Sequence, residues 1–452
     1  MLDVSEFCAR RERLANSMAA NSICLIPAAH LVSRSRDTDY AFRQDSYFHY
    51  LCGFPEPQAW LAISNQAQSP RSKAVKPLSV LFCLAKDPQS EIWQGRRIGP
   101  RQAKKQFGMD KVFSLEQLDE QLLELLDGHD NLYFAQGHAS EADELVFDLL
   151  QALREAPKQS MQAPLCIIDV RTVLDEMRLI KSAAELAIMR QAAQISGKAH
   201  IRAMQAAKAG LNEYHLEADI HHEFALHGAK HPAYGTIVGS GDNACILHYT
   251  DNNQWLKDGD LVLIDAGCEW QGYAADITRT FPVSGTFSPA QRQLYQLVLD
   301  AQSAALALCK PGNTFKQVTD AAIELITQGL ISLGLLSGSL AFNLNKQLYR
   351  QFFMHGIGHW LGLDVHDVGH YKQAGADRPL QSGMVLTIEP GVYIASDAQV
   401  ESRWQGIGIR IEDNIVITPD GYDNLTQDTP KTIAEIEALM AQARAPKAVE
   451  QS

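Results

Sequence analysis

An α+β domain preceded by an α/β domain is the fold class this 452-residue sequence predicts. Three observations lead to it. Short apolar strands alternate with amphipathic helices through the first third. A long helical stretch begins near residue 178. Beyond it, strand-like runs carry acidic residues at or beside their ends and are separated by two further helices.

SEFCARRERLANSMA has helical spacing through Phe7, Leu14 and Met18, and SICLIP follows as an apolar strand. WLAIS and SVLFCLA read as further strands. SLEQLDEQLLELLDG opens with a capping box, Ser114 to Gln117, and stops at Gly128. NLYFAQG and APLCIIDV continue the alternation, so residues 1–175 form a first domain with a small sheet flanked by helices. The second domain, 176–440, opens with RLIKSAAELAIMRQAAQISGKAHIRAMQAAKAG, capped by Ser182 and Glu185 and ending at Gly210. A helix from Leu216 to His227 follows, then strands in GTIVG, CILHY, DLVLIDAG, YAADITRTF, MVLTIEP and GIGIRIEDNIVIT. Helices are expected at Gln291 to Cys309 and Phe315 to Leu333, and 441–452 is expected to be a disordered tail.

Composition narrows the function classes. Hydrophobic residues make up 46% and charged residues 21%, an ordinary globular balance. The net charge of −13 argues against a nucleic acid partner and against anionic membrane, both of which select basic surfaces. No apolar run approaches the ~18 residues of a membrane span. MLDVSEFCARRERL has no signal-like apolar core. The eight cysteines form no C-x-x-C pair, and several sit in apolar runs, so reduced, buried thiols in a cytoplasmic protein are expected.

Several motifs are decoys. GSGDNA (239–244) matches a dinucleotide fingerprint, but a strand-like CILHY follows where a helix should open, so it reads as a glycine-rich turn. HLEADIHHEFALH holds HEFALH, one residue longer than the H-E-x-x-H zinc signature, which puts His222 and His227 on different helix faces. No G-x-S-x-G elbow is present, so covalent catalysis is not favoured.

Four carboxylates stand out. Asp265 ends the apolar run LVLID, Asp276 sits among strand formers in AADITRTF, and Glu389 ends MVLTIE before Pro-Gly. Glu412 lies in an alternating strand two residues after Arg410, which could pair with it on the same face. Burying four carboxylates without cations would cost many kcal/mol or force protonation. Two divalent cations resolve this, and oxygen ligands with an imidazole suit manganese, with cobalt or zinc as substitutes. The imidazole comes from HGIGHWLGLDVHD (355–367), where His355, His359 and His366 all qualify.

The order Asp, Asp, His, Glu, Glu in IDAG, DITRTF, HGIGHWLGLDVHD, IEPG and RIEDN resembles the pita-bread metallopeptidases, among them methionine aminopeptidase, prolidase and aminopeptidase P. FCARRERLANSM, RQDSYFHYLCGFPEPQAWLAI (43–63) and EIWQGRRIGP (91–100) resemble the N-terminal domain of the aminopeptidase P family. This resemblance implies Asp265, Asp276, His359, Glu389 and Glu412 as ligands of two metals, with Asp276 and Glu412 bridging. It implies His248 and His366 as catalytic-site histidines, His355 and Arg410 as supports, and Tyr371 and Tyr393 as nearby tyrosines. It makes Trp93 a residue reaching a neighbouring subunit's site, hence a homo-oligomer, dimer or tetramer. Asp364 and Asp367 match no ligand and are expected to be structural. The implied activity is release of the first residue from peptides with proline second, by a hydroxide between the metals with Glu389 as general base. Prolidase activity on dipeptides is the nearest alternative, and a non-catalytic peptide-binding module of the same fold is a more remote one.

Overall fold

The computed structural model describes residues 2–66 and 77–445. The chain divides into two units, Met1–Arg178 and Leu179–Ser452.

The first unit is built on a six-stranded mixed sheet. Its order is Lys111–Ser114, Leu78–Cys83, Trp60–Ser64, Ser22–Pro27, Asn131–Tyr133, Cys166–Ile168. Ser22–Pro27 runs antiparallel to Trp60–Ser64 and parallel to Asn131–Tyr133. A strand covered on both faces reads as a continuous apolar run, which is why SICLIP is buried at every position. Ile23, Leu25, Val80 and Phe82 pack with Leu122, Leu126, Val146 and Leu150 of the helices Leu118–Leu126 and Ser140–Glu155. The box at Ser114 and Gln117 opens a short 3-10 turn, Leu115–Gln117, that leads into the first of these helices.

The second unit opens with the helix Ala183–Ala206. Ser182 Oγ accepts from the Glu185 amide while the Glu185 carboxylate accepts from the Ser182 amide at 2.8 Å. The helix stops at Ala206, short of the expected Gly210. Gly210 instead donates its amide to Leu256 O at 3.0 Å, so the chain has already left the helix to pair with another segment. The helices Glu213–Leu226, Pro289–Leu306, Phe315–Ser332 and Ile433–Arg444 complete the helical layer. Their apolar faces and those of several small antiparallel sheets share one core. The last helix runs through 441–444, where disorder was expected; residues 446–452 lie outside the described residues.

Three strand expectations need correction. CILHY is not a strand: Gly241–Cys245 is a 3-10 helix and the following residues form turns. YAADITRTF and GIGIRIEDNIVIT are each two strands with a break, Tyr273–Ala274 and Thr278–Pro282, then Ile407–Arg410 and Asp413–Ile417. Both breaks hold an acidic residue of interest.

The eight cysteines are unpaired thiols, five of them buried, while Cys166 is exposed against expectation. Among the described residues no helix is long and apolar enough to cross a membrane.

Candidate metal centre and active site

The site is assembled from interruptions in β-pairing. Val385–Ile388 pairs with Asp413–Ile417, and Gly391–Ile394 with Ile407–Arg410, both antiparallel. Ile388 stands opposite Asp413 and Gly391 opposite Arg410. Carrying that register across the gap sets Glu389 opposite Glu412 and Pro390 opposite Ile411. Proline has no N–H to give, so the ladder opens there. The two glutamates occupy the opening.

A second pair of strands supplies the aspartates. Asp265 ends Leu261–Asp265 and lies opposite Thr278. Beyond it the chains stay close: a Cβ on Gly267 would sit 1.8 Å from Ala275 O, so only glycine fits. Asp276 falls in the gap before Thr278, and the Asn414 side chain holds its backbone from both sides. Asn414 Oδ1 accepts from the Asp276 amide at 3.0 Å and Nδ2 donates to its carbonyl. Glu412's carbonyl is held by buried Arg279, which also donates to Asp413 Oδ1 at 2.8 Å.

His359 comes alongside on a strand-like segment. The Glu389 amide donates to Ile357 O at 2.7 Å and the Thr387 amide to His359 O at 2.9 Å. A Cβ on Gly358 would meet Thr387 O at 2.0 Å, which explains the second glycine of HGIGH. His359 Nδ1 faces Trp360 O at 3.0 Å; a carbonyl only accepts, so Nδ1 carries the proton. Nε2 then points at Asp276 Oδ2 and Glu389 Oε1, 3.4 Å from each. Ligand atoms of Asp276, His359 and Glu412 lie within 4.8 Å of one another.

The electrostatics call for cations. Burial and the neighbouring Asp276 and Glu389 charges push the Glu412 carboxyl well above its usual range. Burial pushes Glu389 up to about 7, partly opposed by His359. Burial and Asp265 raise Asp276. Asp265 is lowered: burial opposes this, but Arg410 and the Tyr234 hydroxyl outweigh it. Burial would depress His359, yet the Asp276 hydrogen bond and the charges of Asp276 and Glu389 lift it to about 9. A divalent cation displaces that extra proton from Nε2, and an imidazole nitrogen among carboxylates that resist ionisation is a donor set suited to divalent metal. The residues present fit the implied dinuclear group.

A cavity of about 490 Å³ lies over this cluster, lined by all four carboxylates, His248, His355, His359, His366, Arg410 and Tyr234, with Ile237, Leu247 and Val365 as apolar wall. Arg410 does not pair with Glu412: its Nη2 donates to Asp265 Oδ2 at 2.7 Å and its Nη1 to Tyr393 Oη at 3.0 Å. Tyr393 in turn donates to His355 Nε2 at 2.8 Å, because His355 Nδ1 gives its proton to Gly356 O. Tyr371 stacks on Trp360 behind His359 and accepts from the Trp360 amide at 3.0 Å, outside the cavity lining. Trp93 lies in the first unit on Pro88–Gln94 and is 87% exposed. Asp367 forms a buried pair with Lys181 at 2.8 Å.

Several residues were not foreseen. The Tyr234 hydroxyl reaches Asp265 Oδ1 at 2.6 Å and Asp276 Oδ1 at 2.5 Å. Thr278 Oγ1 donates to Glu412 Oε2 at 2.7 Å and Thr387 Oγ1 to Glu389 Oε1 at 3.2 Å. Buried Glu213 accepts from the Ser240 amide and hydroxyl, Asn243 Nδ2, the Tyr249 hydroxyl and the Gln254 amide. It thereby gathers the loop that carries His248. The threonines alternate with the acids in DITRTF and LTIEP, a readable signal; Tyr234 and Glu213 stand in no motif.

A fold of interrupted β-pairs presenting four carboxylates and four histidines to one cavity defines a metal-dependent hydrolase. Comparison with known families agrees: metallopeptidase family M24 matches residues 187–419, and the aminopeptidase P N-terminal domain matches residues 7–133. The Xaa-Pro aminopeptidase of Escherichia coli (strain K12) is 49% identical over 97% of this chain and 98% of its own. Xaa-Pro aminopeptidase 3 of Homo sapiens is 37% identical over 90% of this chain and 79% of its own. The solved structure of Zn-substituted E. coli aminopeptidase P in complex with product aligns at TM-score 0.95 and 48% identity, over 98% of this chain and 100% of that one. The chain belongs to metallopeptidase family M24, among its Xaa-Pro aminopeptidases.

Proposed function

We propose that this metallopeptidase releases the N-terminal residue from peptides whose second residue is proline. The observation that carries the reading is the convergence of four carboxylates, Asp276 and Glu412 buried and Asp265 and Glu389 half-buried, and the His359 imidazole on one cavity. Asp265, Asp276, His359, Glu389 and Glu412 are assigned as holders of two divalent cations, manganese by the oxygen-rich donor set. Such cations lower the pKa of bound water and polarise a carbonyl.

The chain's own groups do the rest. Glu389 takes the proton of the attacking water and returns it to the proline nitrogen, a tertiary amide nitrogen that leaves only once protonated. His248 and His366, both on the cavity wall, donate to the substrate carbonyl as negative charge develops on it. Ile237, Leu247 and Val365 offer apolar surface for the pyrrolidine ring. Arg410 holds Asp265, and Tyr393 joins Arg410 to His355.

On the same reading the exposed Trp93 serves the site of a neighbouring subunit, so the protein works as an oligomer. Eight unpaired thiols suit a reducing cytoplasm. The test is a paired assay of the chelator-stripped, Mn²⁺-reloaded protein on an X-Pro-Y tripeptide and an X-Pro dipeptide, with products read by mass. Release of X from the tripeptide is expected, and Glu389→Gln or His359→Ala abolishes it. Cleavage of the dipeptide alone makes the protein a prolidase, and cleavage of neither returns it to a binding role.

A further inference from the structure

We propose that Gln302, on the helix Pro289–Leu306, is the positioning residue that sets the spacing of Glu389 and Glu412 across the opened ladder. The proposal rests on the assignment of those glutamates as metal ligands.

Gln302 is fully buried, and its Nε2 donates to two carbonyls, Ile388 O at 3.1 Å and Ile411 O at 3.2 Å. Each is the residue immediately before a site glutamate, so one amide group ties together the two chain segments that deliver the pair. The need for it follows from Pro390. In the hairpin, Ile411 gives its amide to Pro390 O at 3.3 Å. The return bond to Ile411 O cannot form, because Pro390 has no N–H. A buried carbonyl left unpaired is costly, and Gln302 supplies the donor that the ladder lacks. Its orientation is fixed as well: Lys431 Nζ, which can only donate, meets Gln302 Oε1 at 2.9 Å. The same Lys431 also pairs with Asp413, the residue after Glu412. The NH₂ group therefore faces the ladder gap and cannot be exchanged with the oxygen.

The consequence is specific. Pro390 opens the ladder so that two glutamates can leave the strand direction and face the cavity. Gln302 keeps the opening from widening. Loss of its donors should loosen the hold on metal more than it loosens the fold.

The experiment measures Mn²⁺ release from the full-length loaded enzyme into excess chelator, for Gln302→Met, which removes both donors at similar size, and for Gln302→Glu, which keeps the Lys431 contact but turns an oxygen toward the two carbonyls. Both are expected to release Mn²⁺ about tenfold or more faster than wild type, the usual effect of losing a residue that orients a ligand. Thermal midpoints of the metal-free proteins are measured alongside, since a purely structural role lowers the midpoint without accelerating release. Should Gln302→Met fail to fold, Gln302→Glu carries the test. Glu412→Gln is the control. If it releases Mn²⁺ at the wild-type rate, the ligand assignment fails and the proposal with it. If it loses metal while folded Gln302 variants hold Mn²⁺ as wild type does, the positioning role alone is overturned.

Discussion

Arg410 donates to Asp265 across the site, at 2.7 Å, and leaves Glu412, two residues along its own chain, to Thr278. Strand alternation puts Arg410 and Glu412 on one face only if the strand is continuous, and it breaks between them. The guanidinium is thus the fixed positive charge that keeps Asp265 ionised among three other acids. Arg410→Met leaves the half-buried Asp265 carboxylate without its charged partner. It is expected to destabilise the metal-free protein by about 3–5 kcal/mol in urea unfolding. Mn²⁺ should recover part of that loss, while peptide turnover stays low.

Glu213 makes a prediction about substrate handling. Five donors converge on its carboxylate, and the loop they come from ends at the cavity with Leu247, His248 and Thr250. Glu213→Gln replaces one acceptor oxygen by an NH₂ that faces donors. Unfolding should cost at least about 1–3 kcal/mol less than in wild type. Catalytic efficiency should fall with it. In a double-mutant cycle with His248→Ala the losses should be non-additive, because the second change removes what the first misplaces. Additive losses would separate the loop from His248's role.

His200 predicts a pH dependence of stability. It is fully buried, with Nε2 bonded to Ala266 O at 2.9 Å, and burial lowers its pKa from 6.5 to about 4. The unfolded chain takes up a proton near pH 6.5 that the folded chain refuses until about pH 4. The contribution is therefore complete above pH 6.5 and is lost as pH falls through that window. It amounts to about 3 kcal/mol by the linkage relation. Urea midpoints of metal-free wild type and His200→Gln at pH 7.5 and 4.5 check it: the wild type should lose more stability on acidification, and equal losses would refute the assignment.

What the sequence made legible was whatever is coded locally. The ligand candidates sit at ends of apolar runs, so Asp265 and Glu389 announce themselves. Capping boxes such as Ser182 with Glu185 are read three residues apart. The breaks at Asp276 and Glu412 were hidden because β-branched neighbours on both sides imitate a continuous strand. CILHY has strand composition, yet Glu213 draws Ser240 and Asn243 toward itself and the backbone curls into a 3-10 turn. Gly408 also passes so close that a Cβ there would lie 2.3 Å from Ala244 O. Gln302 and Tyr234 act on partners far along the chain, 86 and 109 residues away for Gln302, and no local pattern marks them.

The central claim is that Asp265, Asp276, His359, Glu389 and Glu412 hold a two-metal centre. Anomalous scattering at the manganese edge, from crystals of the Mn²⁺-loaded protein, tests it most directly. Two peaks about 3.5–4 Å apart among these five residues are predicted. A single peak, or manganese bound elsewhere with the five side chains unliganded, would contradict the account.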